Sequence, residues 1–317
     1  MSPLSRRDWL KAGGAAAMIA LGGARAIAAE DKPKTGEKPK KERWLLGINS
    51  STIRPADLET KIAVTAKAGY DAIELWNSDL SAYEKDGKSL EDLGKRVKDS
   101  GLAVANVIGL WDCMPPNDAD KPKTFERLKA NLRQAQKVGA RHIAAVPTPD
   151  RPDMDVLWVA KRYAELADLG KEFGVAVAVE FVGFMRGIHT LGQAAAVVAE
   201  AGRPEGSIVA DTFHVYRGAG NFGAAKFLGG SIYALWHVND VPNQPEPFKL
   251  QDSDRVYPGD GILPLAQLLK DLWANGFRGP LSLEMFNRAE WKKDPAEVAK
   301  TGIEKMRKVI AESGTGA

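Results

Sequence analysis

From Trp44 onward the chain alternates between short unbroken apolar runs and longer stretches in which apolar positions recur every three or four residues. The unbroken runs are 44–48 (WLLGI), 71–76 (DAIELW), 102–109 (LAVANVIG) and 142–147 (HIAAVP). They continue at 175–181 (VAVAVEF), 207–211 (SIVAD), 232–239 (IYALWHVN) and 280–285 (PLSLEM). Continuous apolarity marks strands that are covered on both faces, as in a parallel sheet. The stretches between them predict helices over 57–70, 89–101, 124–140, 155–174, 190–202, 263–276 and 295–312. Many of these helices stop at a glycine just before the next strand, as in Ser100-Gly101-Leu102 and Asn275-Gly276-Phe277. Glycine there supplies the left-handed cap that closes a helix.

Eight strands alternating with helices over about 270 residues predict an α/β fold, a (β/α)8 TIM barrel, as a single domain at 44–317. A doubly wound open sheet is the alternative. No G-x-G-x-x-G follows the first strand, so a dinucleotide site lacks its usual signal.

A barrel of this kind carries its chemistry at the C-terminal ends of its strands. The fifth run carries Glu180 near its end, and the sixth ends in Asp211 with His214 three residues on. The seventh carries His237 and the eighth Glu284. One carboxylate in an apolar strand is most simply a cap or an ion-pair partner, and one histidine a satisfied core residue. Four successive strand ends converging on one mouth instead predict a shared partner, because buried carboxylates are costly unless paired or metal-bound. A mixed carboxylate and imidazole set without thiolate suits Mn²⁺, Co²⁺, Mg²⁺ or Zn²⁺. The remaining histidines, His142 at a strand start and His189 in a loop, are expected to be structural.

The N-terminus has a different character. Residues 5–11 (SRRDWLK) pair two arginines, an apolar Ala/Gly-rich stretch follows over 12–21, and small residues near Ala28 and Ala29 offer a cleavage point. This is the layout of a twin-arginine export signal over 1–29. It predicts a periplasmic protein handled by the twin-arginine export machinery, or one anchored in the membrane if the signal is kept. The Lys/Pro-rich residues 30–43 read as a disordered charged linker. Cys113 is the single cysteine, so no intramolecular disulfide forms. The net charge of +3 is a property of this leader: residues 1–43 hold ten Lys/Arg and five Asp/Glu, which leaves −2 for the barrel. A mildly acidic barrel argues against a nucleic-acid surface.

The segments DAIELW, VAVEF, ADTFH, WHVND, RVYPGDG and GFRGPLSLEMF, in this order, resemble the xylose-isomerase-like sugar isomerase/epimerase barrels, which include ketose 3-epimerases and inosose-processing enzymes. The resemblance covers roughly Trp44 to Glu312. It implies one divalent metal ion, Mn²⁺ first among the candidates, held by Glu180, Asp211, His237 and Glu284. It implies that His214 touches substrate or supports the site, and that Arg255, before the P-G-D-G turn, binds substrate oxygens. The chain departs from the pattern by inserting residues 241–254 ahead of Arg255, which predicts a distinct loop over the pocket and a distinct substrate. Trp76, Trp111 and Phe286 lie near strand ends, where they would pack on the C–H faces of a sugar or serve as rim packing. Glu74 either faces the mouth or pairs with a neighbour.

The function implied is a metal-dependent isomerase or epimerase of a non-phosphorylated sugar, cyclitol or keto-sugar. A cation on the carbonyl and adjacent hydroxyl would stabilise an enediolate, with Glu180 and Glu284 moving the proton. A dehydratase of a keto-sugar or inosose could use the same residues. A non-catalytic sugar-binding barrel is a third reading. An abasic-site endonuclease shares the barrel but would need a His-rich three-zinc cluster, which four histidines do not suit. The oligomeric state is left open, a homo-oligomer included.

Overall fold

The computed structural model describes residues 42–218 and 221–316. The export signal and all but the last two residues of the expected linker lie outside the described residues. Eight strands form a closed, all-parallel barrel in chain order: β1 (Leu45–Asn49), β2 (Ala72–Trp76), β3 (Ala103–Leu110), β4 (His142–Ala145), β5 (Ala176–Glu180), β6 (Ser207–Asp211), β7 (Tyr233–Val238) and β8 (Pro280–Leu283). Closure comes from β1 pairing with β8, from Leu45 opposite Pro280 to Ile48 opposite Leu283. The helices are α1 (Leu58–Ala68), α2 (Asn77–Lys85), α3 (Leu90–Asp99), α4 (Lys121–Lys137), α5 (Val156–Glu172), α6 (Leu191–Ala201), α7 (Thr212–Gly218), α8 (Leu265–Ala274) and α9 (Pro295–Ser313). Among the described residues, no helix is long and apolar enough to cross a membrane.

Two of these helices were not expected from the pattern. In α2 the residues that reach the core are Asn77 and Leu80, so apolar periodicity is almost absent. Only seven residues long, α7 is too short to show a period, and it places His214 on a helical turn where a loop was expected. Asp211 caps that turn: its Oδ1 accepts from the backbone N–H of Phe213 at 2.6 Å and of His214 at 3.2 Å.

The two-residue period of each strand separates its faces. On β2, Ile73 and Leu75 join the large aliphatic cluster shared with the helices. Ala72, two residues before Glu74, belongs instead to a second cluster with Ala105, Ala144, Ala178 and Val209. These small side chains fill the barrel interior. The next inward position toward the C-terminal end is polar in several strands, giving Glu74 after Ala72, Glu180 after Ala178 and Asp211 after Val209. Register aligns these positions. Glu74 lies opposite both Asn49 and Asn106, and His237 opposite both Asp211 and Ser282. The barrel therefore has an alanine-rich lower layer and a polar upper layer.

Candidate active site at the C-terminal mouth

His237 stands at the centre of the polar layer. Its Nε2 lies 3.1 Å from both oxygens of Glu74. A carboxylate only accepts, so Nε2 carries the proton and donates it. Glu74 has no solvent exposure; Asn106 Nδ2 also donates to it at 2.8 Å, as does the Ser282 hydroxyl. The other ring nitrogen, Nδ1, is buried without a hydrogen-bond partner. Three carboxylates face it: Glu284 at 3.2 Å, Glu180 at 3.5 Å and Asp211 at 3.5 Å. One oxygen each of Glu180 and Glu284 and a ring nitrogen of His237 all lie within 4.8 Å of one another.

Arg255 closes this cluster from above, fully buried. Its Nη1 donates to Asp211 at 2.7 Å and Glu284 at 2.8 Å, and its Nη2 to Asp252 at 2.7 Å. The inserted segment delivers it there. An antiparallel bridge between Asp240 and Val256 pinches residues 241–255 into a loop. Asp240 holds the base of that loop by accepting from the backbone of Val241, Gly259 and Leu263 at 2.9–3.0 Å. Gly261 fits only without a side chain, since a Cβ there would lie 2.2 Å from the Val241 carbonyl. Arg255 also stacks on Phe213 and Phe286, at 4.6 and 5.2 Å from the ring centroids.

Above the cluster is a cavity of about 130 Å³ whose walls include Trp76, Trp111, Phe184, Phe286, His214 and Asp252. Glu180, Glu284 and Arg255 form its floor. Trp76 is fixed by an indole N–H donated to Asn49 Oδ1 at 2.8 Å and by an edge contact with Phe286. A larger cavity of about 770 Å³ sits at the opposite end, lined by strand starts and by His142, away from these residues.

Burial and crowding set the protonation states. Burial raises Glu180 to about 7; His237 pulls it down, while Asp211 and Glu74 push it further up. Burial likewise holds Glu284 well above the usual carboxylate range, against the pull of His237 and Arg255. Burial alone would raise Asp211, but Arg255, His214 and His237 more than offset it and keep that carboxyl well below the usual range. Burial would lower His237, yet Glu284 and Glu74 hold it well above an ordinary histidine. His214 goes the other way, lowered to about 4 chiefly by burial.

The donor set fits a divalent cation. Four buried carboxylates surround one imidazole and one guanidinium, the ligand atoms are all oxygen or nitrogen, and a ring nitrogen without a partner points at three of the carboxylates. Such a charge excess is stable only if protons or a metal balance it.

Glu180, Asp211, His214, His237, Arg255 and Glu284 are all brought to one place, as the sequence suggested. Trp76 and Trp111 line the cavity, with Trp111 at the rim and 37% exposed. His142 and His189 are elsewhere, each with Nδ1 near a backbone carbonyl, at 3.3 and 3.1 Å. Sequence reasoning left Glu74 open and missed Asn106, Ser282 and Asp252. The first two were visible as polar residues inside apolar runs, the same signal that flagged Glu180. Asp252 had no such signal, because it lies in a polar loop.

A family model described as a xylose isomerase-like TIM barrel matches residues 62–309. The chain is 28% identical over 268 residues to an inosose isomerase of Bacillus velezensis, covering 83% of this chain and 95% of that one. It is 23% identical over 232 residues to a 3-dehydroshikimate dehydratase of Pseudomonas putida, covering 73% of this chain and 36% of that longer one. A crystal structure of the IolI protein with a bound zinc atom superposes with a TM-score of 0.78 at 25% identity, covering 84% of this chain and 98% of that one.

Proposed function

From its place in the xylose isomerase-like TIM barrel family, to which this chain belongs, we propose that it is a divalent-metal-dependent isomerase or epimerase of a non-phosphorylated sugar, cyclitol or keto-sugar. One observation carries this reading: the unpartnered Nδ1 of His237, facing Glu180, Asp211 and Glu284 beneath an aromatic-walled cavity. Those four residues would hold the cation. When bound, it would act as a Lewis acid on a substrate carbonyl and acidify the neighbouring C–H.

The chain's own groups supply the proton transfers. Glu180 and Glu284 come from strand ends separated by β6 and β7, with His237 between them. One carboxylate takes the proton from the carbon next to the carbonyl. For epimerisation, the other returns a proton to the opposite face of that carbon; for isomerisation, a proton is delivered to the adjacent carbon as the hydroxyl proton moves to the former carbonyl oxygen. Burial raises Glu180 to about 7, near the protonation balance that such exchange needs, and raises Glu284 in the same direction. His214 Nε2 faces Arg255 Nη2 at 3.3 Å and can only accept from it, so Nδ1 carries the proton. That Nδ1–H is buried without a partner, and the His214 side chain lines the cavity. Trp76, Trp111 and Phe286 would pack on the C–H face of the bound ring.

The inosose isomerase relative, matched over nearly its whole length, favours an inosose-like substrate. The 3-dehydroshikimate dehydratase relative supports a second reading, in which the proton goes to a departing hydroxyl and water is lost. Incubating the metal-loaded protein with an inosose in D₂O separates them. Deuterium at carbon without loss of water supports the isomerase or epimerase; a product lighter by one water supports the dehydratase; no exchange contradicts both. The twin-arginine layout of residues 5–11 supports export to the periplasm. Replacing Arg6 and Arg7 by Lys should leave the chain in the cytoplasm.

A further inference from the structure

The inserted loop does more than carry Arg255 to the mouth. Leu250, fully buried, anchors it, and Arg217 Nε donates to the Leu250 carbonyl at 3.2 Å. Two residues on, Asp252 enters the cavity wall. One of its oxygens accepts from Arg255 Nη2 at 2.7 Å, and its side chain keeps 33% of its surface exposed.

The charge inventory of the cavity follows from this contact. Arg255 is the single Lys or Arg among its lining residues, against Glu180, Glu284 and Asp252. Both terminal nitrogens of that guanidinium are committed. Nη1 serves Asp211 and Glu284; Nη2 serves Asp252 and His214. Three carboxylates share that guanidinium, so away from the metal site an incoming carboxylate or phosphate meets no uncommitted side-chain cation among the lining residues. Arg54 stacks on Trp76 at 4.8 Å but does not line the cavity. What the wall offers a ligand is an acceptor on Asp252 and aromatic faces. That combination suits the hydroxyls and C–H face of an uncharged polyol.

We propose that Asp252 is a specificity-determining residue, whose carboxylate accepts a substrate hydroxyl and excludes anionic keto-acids, so that the site selects uncharged polyol ketones. This inference rests on the proposed function and narrows its substrate class. A site built to pair a polar group discriminates strongly, because a mismatched ligand leaves that group unpaired or faces like charge.

The test is calorimetric binding to the Mn²⁺-loaded full chain, with an inosose as the uncharged ligand and 3-dehydroshikimate as the carboxylate. The comparison is wild type, Asp252→Asn and Glu246→Gln, the last removing an exposed charge from the same loop away from the cavity. Wild type should bind the inosose at least about tenfold more tightly than 3-dehydroshikimate. Asp252→Asn should narrow that ratio about tenfold, by weakening the first and strengthening the second, while Glu246→Gln leaves it unchanged. Manganese affinity of Asp252→Asn, measured alone, should stay within threefold of wild type. An unchanged ratio in Asp252→Asn, or equal narrowing in Glu246→Gln, overturns the role of Asp252 alone. A metal-loaded wild type that binds neither ligand overturns the proposed function, and this inference with it.

Discussion

The bond from His237 Nε2 to Glu74, 3.1 Å to each carboxylate oxygen, determines which ring nitrogen faces the mouth. With a proton held on Nε2, Nδ1 is the ring nitrogen turned toward Glu180, Asp211 and Glu284, where a bound cation would take the place of its second proton. Glu74 is itself held by Asn106 from the neighbouring β3 and by Ser282 from β8, which lies beyond β1. A carboxylate behind a ligating histidine fixes its tautomer and raises its basicity.

Replacing Glu74 with Gln removes that charge and allows the amide to donate to Nε2, which moves the proton to Nδ1. Metal affinity should fall about 10- to 100-fold with the fold retained. Calorimetric titration with Mn²⁺ and a far-UV spectrum check both parts. An affinity equal to wild type would mean that Glu74 does not orient the ring.

Glu284 accepts from Arg255 at 2.8 Å and stands 3.2 Å from His237. A Gln side chain fills the same space but cannot take a proton from carbon. Glu284→Gln should fold normally and lose at least about 100-fold in turnover. Solvent deuterium exchange into substrate is the measurement, and wild-type exchange would remove Glu284 from proton transfer.

His214 links the site to stability. Burial holds its pKa at about 4, below the usual 6.5, so the unfolded chain binds the proton more readily between those values. Its neutral form therefore contributes stability that is complete above pH 6.5 and is lost as pH falls toward 4. Between pH 7 and pH 5 this one group should remove about 2 kcal/mol. Urea unfolding of the metal-free chain at both pH values, compared with His214→Gln, isolates it: the variant should lose less on acidification. An equal loss in both proteins would assign the pH dependence to other groups.

The strands and their polar ends were legible because burial on both faces makes a parallel strand an apolar run, in which one Glu or Asp stands out. Glu180 and Asp211 were found in that way. Asn106 and Ser282 carry the same signal more weakly, since short neutral side chains are common in strands. The helix that bears His214 was not legible, because seven residues cannot show a period and its start depends on Asp211 capping the chain. Asp252 could not be found from the pattern at all. Its place over the cavity depends on the pairing of Asp240 with Val256, which flank a polar insertion that has no periodic signature.

Glu180, Asp211, His237 and Glu284 are proposed to share one divalent cation. Elemental analysis of the purified barrel, starting at residue 30 and supplied in turn with Mn²⁺, Co²⁺, Mg²⁺ and Zn²⁺, tests it most directly beside Asp211→Ala and His237→Ala. The wild type should hold about one equivalent of a divalent metal, and both variants should lose it. No uptake of any of the four, or equal uptake in the variants, would contradict it.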